Sequence, residues 1–386
     1  MRVLHLLKTA VGATWALRQT RELVKHGIEV HLALPDGPMV QRYNEVGVKT
    51  HILDPSLVVP KLWKNKAAAL ALRNLITEIK PDIVHSHFVA TTLLMRYAMK
   101  GLDIPRIFHI PGPLHLEHLA YRHLDVNSAG ANDYYLASCI WTKEALARFG
   151  VEQEKIGLAY YGVNAEDFTK PNRDAEDLRA MIGAGDSTFV VGMVAYFYAP
   201  KPYLGQTRGL KGHEDLIDAI AIVKAQHPDI KCVMVGGPWG NAQRYYEKVK
   251  RYAQKKVGDT CVFLGNRNDV PSLYPQFDLA VHPSHSENVG GAVESMYARV
   301  PTLTSNVGGF PDLVVPGDTG YMAVSKYPPA FAEQILRAIE EGPNHDGMVD
   351  RAFNKVSSVM NVEHNALEVM SFYDQVMKHW EAKPRA

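Results

Sequence analysis

The chain has 386 residues, 46% of them hydrophobic, and its 42 Lys and Arg residues are balanced by 41 Asp and Glu residues. This length predicts about two domains, and the lack of excess basic charge excludes a strongly basic nucleic-acid-binding protein, so no nucleic-acid partner is expected. The three cysteines lie far apart without a CxxC pair, and no stretch approaches the ~18 apolar residues of a membrane span, which together indicate a cytoplasmic protein.

The first half of the chain alternates short apolar runs with helical patterns. Helices are predicted from Trp15 to His26 and from Lys66 to Lys80, and strands at RVLHLL, IEVHLAL, KTHIL, DIVHSH, RIFHI, YYLAS and IGLAYYGV. Such alternation is typical of a parallel sheet with helices on both faces. The polar segment TKPNRDAE, from Thr169 to Glu176, has no periodicity and is predicted to link two domains.

A second series of the same kind follows this linker. Helices are predicted from Tyr245 to Lys256 and at HEDLIDAIAIVKAQ, and strands at FVVGMVAYF, IKCVMVGGP, CVFLGN, DLAVHPS and TLTS. We therefore expect an α/β protein with two Rossmann-like, doubly wound parallel-sheet domains, residues 1–168 and 169–361, facing a central cleft. A helical pattern from Val362 to Trp380 follows the second domain.

The segment that begins at His282 carries the strongest signal for a binding site. Asn288 to Gly291 is predicted to be a turn, and the apolar residues after it repeat at helical spacing, so a helix begins near the glycine pair. The free N–H groups of such a helix, beside the carboxyl end of a strand, suit a pyrophosphate. Glu287 and Glu294 lie off the apolar stripe and can accept hydrogen bonds from sugar hydroxyls. In the alternative interpretation, Glu294 caps the helix and Glu287 is a solvated charge.

This segment resembles the retaining glycosyltransferases of family 4, which have the GT-B fold. The matching features are the two glutamates, a small-residue helix with Ala298, a proline at Pro301, and GGFPD from Gly308 to Asp312. PDIVHSHF at 81–88 and GVNAEDF at 162–168 are similar to two further family segments. One departure is that six residues separate Glu287 from Glu294, where the family has seven.

The resemblance implies transfer of a sugar, with retention of configuration, from a nucleoside diphosphate sugar to an acceptor hydroxyl. A UDP-sugar is the favoured donor, and the product is expected to be a polysaccharide, a glycolipid or a glycosylated metabolite. In the family the first glutamate contacts the donor sugar, the second contacts the ribose, and the last helix, here within 362–386, crosses back onto the first domain. The remaining donor-binding residues are expected to be Asn288, Val289, Gly290, Gly291, Gly308 and Gly309.

Fixed positive charge for the diphosphate is expected in the loop after the first strand of the second domain. Lys211 and Gly212 match a Lys-Gly pair of the family, whereas Tyr196 stands at the family's arginine position and the loop after it is enlarged. We hypothesise that Arg208, with Lys201 as the second choice, replaces the missing guanidinium. The alternative for these residues is a solvated surface charge. No Asp-x-Asp triplet occurs, so we expect no metal and no other cofactor.

The first domain offers three further candidate residues. Gly12 follows the first strand and would allow the backbone to approach a diphosphate closely. A family histidine near RIFHIPGPLH contacts the donor sugar and supports catalysis, and we favour His115 for this role over His109, which would bind substrate or lie in the core. His85 and His87, at the end of a predicted strand, are predicted to be structural.

Two rival functions and one question of location stay open at this stage. Another GT-B sugar-nucleotide enzyme, an epimerase or a non-glycosidic coupling enzyme, would release diphosphate without a hydroxyl acceptor, and a non-catalytic binding protein would turn over no donor.

Trp63 lies among Lys61, Lys64 and Lys66, ahead of an Ala- and Leu-rich helix. That pattern suits peripheral contact with the inner face of a membrane and a lipid-linked acceptor. An ordinary amphipathic helix on the sheet is the favoured alternative.

Overall fold

The computed structural model describes residues 1–58, 62–169, 176–342 and 347–382. The chain forms two compact units, one of Met1–Val163 with Met360–Ala386 and one of Asn164–Val359. Most of the linker predicted from Thr169 to Glu176 lies outside the described residues, as does Lys61, and the side chains of Trp63 and Lys64 are not described either.

The first unit is built on a seven-stranded parallel sheet with the strand order β3-β2-β1-β4-β5-β6-β7. The strands are β1 (Arg2–Leu6), β2 (Glu29–Leu34), β3 (Lys49–Ile52), β4 (Ile83–Ser86), β5 (Arg106–Ile110), β6 (Asp133–Ala137) and β7 (Ile156–Leu158). The helices are α1 (Thr14–Lys25), α2 (Met39–Glu45), α3 (Leu62–Ile79), α4 (Val89–Ala98), α5 (Leu114–Glu117), α6 (Leu119–Ser128) and α7 (Ile140–Arg148). All seven predicted strands are confirmed, although the last one ends at Leu158 rather than at Val163.

Both faces of this sheet are covered, because alternate residues of each strand enter different cores. Val3 of β1 packs in the cluster that contains Leu17 of α1, whereas Leu4 packs in the cluster that contains Leu72 of α3 and Leu94 of α4. Strands buried on both faces need nearly continuous apolar runs, and this explains the short apolar stretches of the sequence.

The second unit holds a six-stranded parallel sheet with the order β10-β9-β8-β11-β12-β13. Its strands are β8 (Phe189–Val194), β9 (Ile230–Val235), β10 (Cys261–Gly265), β11 (Leu279–His282), β12 (Thr302–Ser305) and β13 (Tyr321–Ala323). Its helices are α8 (Glu166–Thr169), α9 (Leu178–Ile182), α10 (His213–Gln226), α11 (Gln243–Val257), α12 (Val270–Leu273), α13 (Gly290–Tyr297), α14 (Phe310–Leu313), α15 (Pro328–Glu341) and α16 (Met348–Val359). From β8 the chain winds outward in one direction and from β11 in the other, so the topological switch point lies between these two strands.

The last helix, α17 (Val362–Glu381), packs on the first unit. The backbone N–H of Val163 donates to the carbonyl of Met360 at 2.9 Å, and the ring of Phe372 lies against Gly157, where an added Cβ would come within 2.5 Å of it. The two parallel sheets, of seven and six strands, confirm the two Rossmann-like α/β domains predicted from the sequence. Among the described residues, no helix has both the length and the apolar character needed to cross a bilayer.

Truncation of Phe372 should test how much α17 contributes to the first unit. Phe372→Ala should lower the free energy of unfolding by about 3–5 kcal/mol, because a large buried ring is removed from a packed interface. Urea titration followed by tryptophan fluorescence measures this, since four of the five tryptophans belong to the first unit. Leu367→Ala, on the same helix at a side chain 44% exposed, is the matched control and should cost less than about 1 kcal/mol. Equal losses in the two variants would contradict the packing role of Phe372.

Candidate functional site

The candidate site of the second unit lies at the carboxyl ends of β8 and β11, which are adjacent parallel strands. The loops after these strands touch: the backbone N–H of His285 donates to the carbonyl of Leu210 at 2.8 Å. Gly212 has a φ of +75°, and a Cβ there would lie 2.0 Å from the carbonyl oxygen of Pro283. Only glycine fits this contact, so the sequence places a residue without a side chain where the two loops meet.

Lys211 and Glu287 form an ion pair across this contact. Their side chains are 20% and 13% exposed, respectively. The Glu287 carboxylate also accepts hydrogen bonds from Ser284 Oγ at 3.4 Å and from the backbone N–H of Asn288 at 3.1 Å. Burial favours the neutral amine of Lys211, but the neighbouring carboxylate outweighs this effect and raises the pKa of Lys211. The ammonium group is therefore a fixed positive charge at the switch point.

Two glycine pairs frame this ion pair. Helix α13 begins at Gly290, so both Gly290 and Gly291 are helical. The turn predicted from Asn288 to Gly291 is therefore wrong for its last two residues. A Cβ at Gly290 would lie 3.0 Å from the Glu287 carboxyl group. In the second pair, Gly308 has a φ of +53°, and the backbone N–H of Gly309 donates to the carbonyl of Glu287 at 3.3 Å. The first pair therefore leaves space beside the carboxylate of Glu287, and the second pair is bonded to the backbone of the same residue.

Glu294 is half-buried on α13, and its Oε2 accepts a hydrogen bond from the hydroxyl of Tyr274 at 3.2 Å. Burial, and then the carboxylate of Glu294, raises the pKa of Tyr274 well above its ordinary value, so the phenol stays a hydrogen-bond donor. Glu294 also contributes to the raised pKa of Lys211. The structure thus brings Lys211, Glu287 and Glu294 together, while Tyr274 was missed because it lies 20 residues before Glu294 in an ordinary apolar segment.

Asn288 and Val289 complete the loop in front of α13. Val289 is 4% exposed and packs inward. The side-chain oxygen of Asn288 is buried and has no hydrogen-bond partner among the described residues. Buried polar atoms usually find a partner, so this amide is one group at the site that is able to accept a further hydrogen bond.

The guanidinium of Arg208 is already paired inside the second unit. It binds the carboxylates of Asp215 at 2.6 Å and Asp218 at 2.7 Å, both on α10. Asp215 is buried and also contacts the ring of His285. Arg208 could replace the missing guanidinium only by exchanging these partners, and its assigned role stays a prediction. Tyr196, at the family's arginine position, lies 5.0 Å from Trp239 between ring centroids.

Gly12 in the first unit lies between β1 and α1, as the sequence predicts. Its φ is +69° and that of Ala13 is +53°, so the backbone turns left-handed twice before α1 begins at Thr14. Glycine adopts this conformation without the steric cost that other residues incur. Its contact with a diphosphate stays a prediction.

His109 and His115 have different surroundings. His109 is fully buried near the end of β5: its Nε2 lies 2.9 Å from the carbonyl of Ala159, its ring stacks on Tyr161, and its Nδ1 has no partner among the described residues. Burial lowers the pKa of His109 to about 3, so the ring is neutral. On α5, His115 Nε2 lies 3.1 Å from the buried carboxylate of Asp125. The structure does not bring the two rings to one place, and the preference for His115 stays a prediction.

Comparison with protein families gives two matches. The model described as Glycosyltransferase Family 4 matches residues 12–167, and the model described as Glycosyl transferases group 1 matches residues 202–355. One match therefore covers most of the first unit's N-terminal segment, and the other covers the site of the second unit.

Individual proteins resemble the chain over most of its length. It is 23% identical to N-acetyl-alpha-D-glucosaminyl L-malate synthase of Bacillus anthracis, over 93% of this chain and 92% of the relative. It is 24% identical to UDP-Gal:alpha-D-GlcNAc-diphosphoundecaprenol alpha-1,3-galactosyltransferase of Escherichia coli, over 77% of this chain and 79% of the relative. The crystal structure of Anabaena Alr3699/HepE in complex with UDP and glucose matches with a TM-score of 0.77 and 19% identity, over 99% of this chain and 100% of that chain. The predicted GT-B fold is confirmed.

The buried His282 beneath the site should make the stability of the second unit depend on pH. Burial, and then the charge of Lys211, lowers the pKa of His282 to about 3 in the folded chain, against 6.5 as its ordinary value. The unfolded chain therefore binds more protons between these values, and stability is lost as the pH falls below 6.5. His282→Asn should reduce the slope of unfolding free energy against pH by up to about 1.4 kcal/mol per unit.

Urea titrations at a series of pH values from about 7 to about 5 measure this slope. The partly exposed His227, in the same unit, provides the control variant His227→Asn, which should keep most of the parent's slope. If His282→Asn has the slope of the parent, the ring is not held neutral by burial.

Proposed function

Because the chain belongs to glycosyltransferase family 4 and has the GT-B fold, we propose that it transfers a sugar from a nucleoside diphosphate sugar to an acceptor hydroxyl with retention of anomeric configuration. Family membership by itself makes it a glycosyltransferase of glycoconjugate biosynthesis. The donor, the stereochemistry and the acceptor are the proposed part.

The observation that carries this proposal is the Lys211–Glu287 ion pair at the topological switch point of the second unit. A diphosphate is the kind of ligand that binds at such a point, beside a fixed ammonium and the start of a helix. When a phosphate oxygen pairs with Lys211, the carboxylate of Glu287 gains freedom to accept hydrogen bonds from sugar hydroxyls. One residue pair then recognises both halves of a nucleoside diphosphate sugar.

Charge on the departing diphosphate is stabilised in this proposal by the protein alone. Lys211 and the backbone N–H groups at Gly290, Gly291 and Gly308 are the proposed donors, with no metal and no other cofactor. The N–H of Gly309 joins them only if it leaves the carbonyl of Glu287. Preorganised donors aimed at developing charge supply a large share of catalysis in group transfer. Arg208 joins them only if it leaves Asp215 and Asp218.

The proposed transfer takes place on one face of the sugar. The bond from the anomeric carbon to the diphosphate oxygen breaks, the acceptor oxygen bonds to the same carbon, and the acceptor proton passes to the departing phosphate. No protein base is needed in this scheme. A histidine would bind the donor sugar and support the transfer, and His115 is preferred to His109 for this role.

The proposed partners are a UDP-sugar and a hydroxyl acceptor. A solved structure with the same fold was obtained with UDP and glucose, and the E. coli relative is named for a UDP-sugar and an undecaprenol-linked acceptor. We therefore favour a lipid-linked acceptor, and with it a cytoplasmic enzyme that contacts the inner face of the membrane. The segment around Trp63 is the sequence-based candidate for this contact. The favoured alternative, an ordinary helix packed on the sheet, agrees with the burial of Leu72 and Ile76 of α3 in one cluster with Leu4 of β1.

Turnover of radiolabelled UDP-sugars with candidate acceptors is the experiment that tests the proposed function. UDP release should require the acceptor, the product should keep the donor's anomeric configuration in its NMR spectrum, and brief assays in EDTA should retain most of the activity. Release of UDP without an acceptor would instead support an epimerase or a coupling enzyme. Complete loss in EDTA, restored by magnesium or manganese, would overturn metal-independent transfer.

Replacement of the second glutamate should weaken donor binding while leaving the fold intact. Glu294→Gln keeps the size of the side chain but removes its charge, and it should weaken the binding of UDP by about 1–3 kcal/mol, as expected for a lost charged hydrogen bond to a ribose hydroxyl. Isothermal titration calorimetry with UDP measures the effect. Glu333→Gln, at an exposed position on α15, is the control. Parent-like UDP affinity in Glu294→Gln would remove this residue from the site.

The hypothesis that Arg208 supplies the missing positive charge is tested by a double-mutant cycle with Lys211. If both cations contact one diphosphate, the loss of UDP affinity in the double variant Lys211→Ala, Arg208→Ala should differ from the sum of the single losses by ~0.5 kcal/mol or more. Arg179→Ala is the control, because Arg179 also pairs with a carboxylate, that of Asp278, before β11 begins. Parent-like affinity in Arg208→Ala would show that Arg208 only holds α10, and would make Lys201 or the glycine N–H groups the better candidates.

A further inference from the structure

Three histidines meet in the core of the first unit, beside the ring of His109. His5 lies in β1 and His85 in the neighbouring strand β4, where the two are register partners, and His87 follows β4 by one residue. All three side chains are fully buried. We propose that His5, His85 and His87 bind a transition-metal ion such as Zn²⁺ through three imidazole nitrogens.

The nitrogens of the three rings lie close enough together to share an ion. One ring nitrogen of each residue lies within 4.8 Å of the other two, and the closest pair, His5 Nδ1 and His87 Nε2, is 2.9 Å apart. Zinc–nitrogen bonds of about 2.0–2.1 Å place tetrahedral ligands roughly 3.3 Å apart. The longest separation would contract by up to about 1.5 Å on loading. The rings, which stack with 20–24° between their planes, would also turn so that their lone pairs converge on the ion.

The second nitrogen of each ring already has an outer partner. His85 Nδ1 lies 2.6 Å from the hydroxyl of Tyr373, His87 Nδ1 lies 2.9 Å from that of Tyr161, and His5 Nε2 lies 3.3 Å from that of Tyr373. Histidines that bind metals are typically oriented in this way, with one nitrogen on the ion and the other on an oxygen. The two tyrosines fix which nitrogen of each ring faces inward.

The inward nitrogen of His85 is the second independent sign of a ligand. Its Nε2 is buried and has no hydrogen-bond partner among the described residues. A lone pair in a dry interior lacks the partner that buried polar atoms normally have, and an ion among the three rings would supply it.

The donor set indicates which class of ion would bind. Three neutral imidazoles suit zinc, copper or nickel rather than calcium or magnesium, which prefer oxygen ligands. Burial keeps the rings neutral: it lowers the pKa of His5 to about 3 and that of His85 and His87 well below the ordinary value. Because these ligands carry no charge, the ion would take a fourth ligand such as hydroxide.

The competing structure is a metal-free network, in which a proton on His5 or His87 bridges the two rings. It would account for the 2.9 Å contact but leave His85 Nε2 without a partner. Metal analysis separates the two structures directly, with no need for enzymatic activity. A buried ion exchanges slowly, so brief activity assays in EDTA do not bear on it.

The protein should be purified through a Strep tag, without a metal-affinity column, after expression in medium containing zinc, copper and nickel. Inductively coupled plasma mass spectrometry should find about one transition-metal ion per chain in the parent and less than about 0.2 in His85→Gln. His31→Gln is the matched control, since His31 stacks on His51 in the same sheet with 5.1 Å between ring centroids, and no third histidine of the described residues joins them. This control should keep the metal.

A second measurement uses the parent alone, in case His85→Gln fails to fold. Metal stripped from partly unfolded protein should be replaceable by Co²⁺, and refolded parent should then show the visible absorption bands of a four-coordinate cobalt site. Parent protein without bound metal and without these bands would overturn the proposal. Equal metal content in folded His85→Gln and the parent would overturn it too, because the ion would then lie elsewhere.

Discussion

The ion pair between Lys211 and Glu287 is the interaction on which the candidate site depends. Bringing two charges out of water costs free energy, and mutual attraction repays it only in a favourable geometry. Here the geometry is set by the sheet: β8 and β11 are neighbours, and their loops are held together by a backbone hydrogen bond and by the fit of Gly212 against Pro283. Such a pair is by itself weak evidence for added stability, and in the proposed function Lys211 exchanges Glu287 for a phosphate oxygen.

The glycines near this pair matter because they have no side chains. Side chains at Gly290 or Gly212 would fill the space beside the carboxylate or between the loops. Their absence lets backbone N–H groups and one ammonium share a small volume, the arrangement that suits an anion with several oxygens. Arg208 shows the contrast, because its charge is used inside the unit by two carboxylates of α10.

The first unit solves a different physical problem, that of polar side chains in the middle of a sheet. Histidines on the adjacent strands β1 and β4, and at the end of β4, point into a region that α17 covers. The hydroxyls of Tyr161 and Tyr373 supply partners for their rings. Such a network is stable only when its members are satisfied, since an unpaired polar atom in a dry interior costs free energy. Within the part of the chain that the structure describes, His85 Nε2 and His109 Nδ1 are the nitrogens of this network that have no partner.

The sequence by itself determined the local order of this protein. Period and length of the apolar runs predicted all seven strands of the first sheet, five of the six strands of the second sheet and the helix at 213–226, whereas the short edge strand β13 was not predicted. Glu287, Glu294 and the glycine pairs predicted one loop–helix site. These features depend on residues that are near one another in the chain, so the pattern of residue types along the sequence indicates them. Tertiary structure alone decided the pairing of Arg208 with Asp215 and Asp218, the contact of Tyr274 with Glu294, and the meeting of His5 with His85 and His87 across about 80 residues. Such contacts follow from strand order and register, which bring distant residues side by side without leaving a periodic signal.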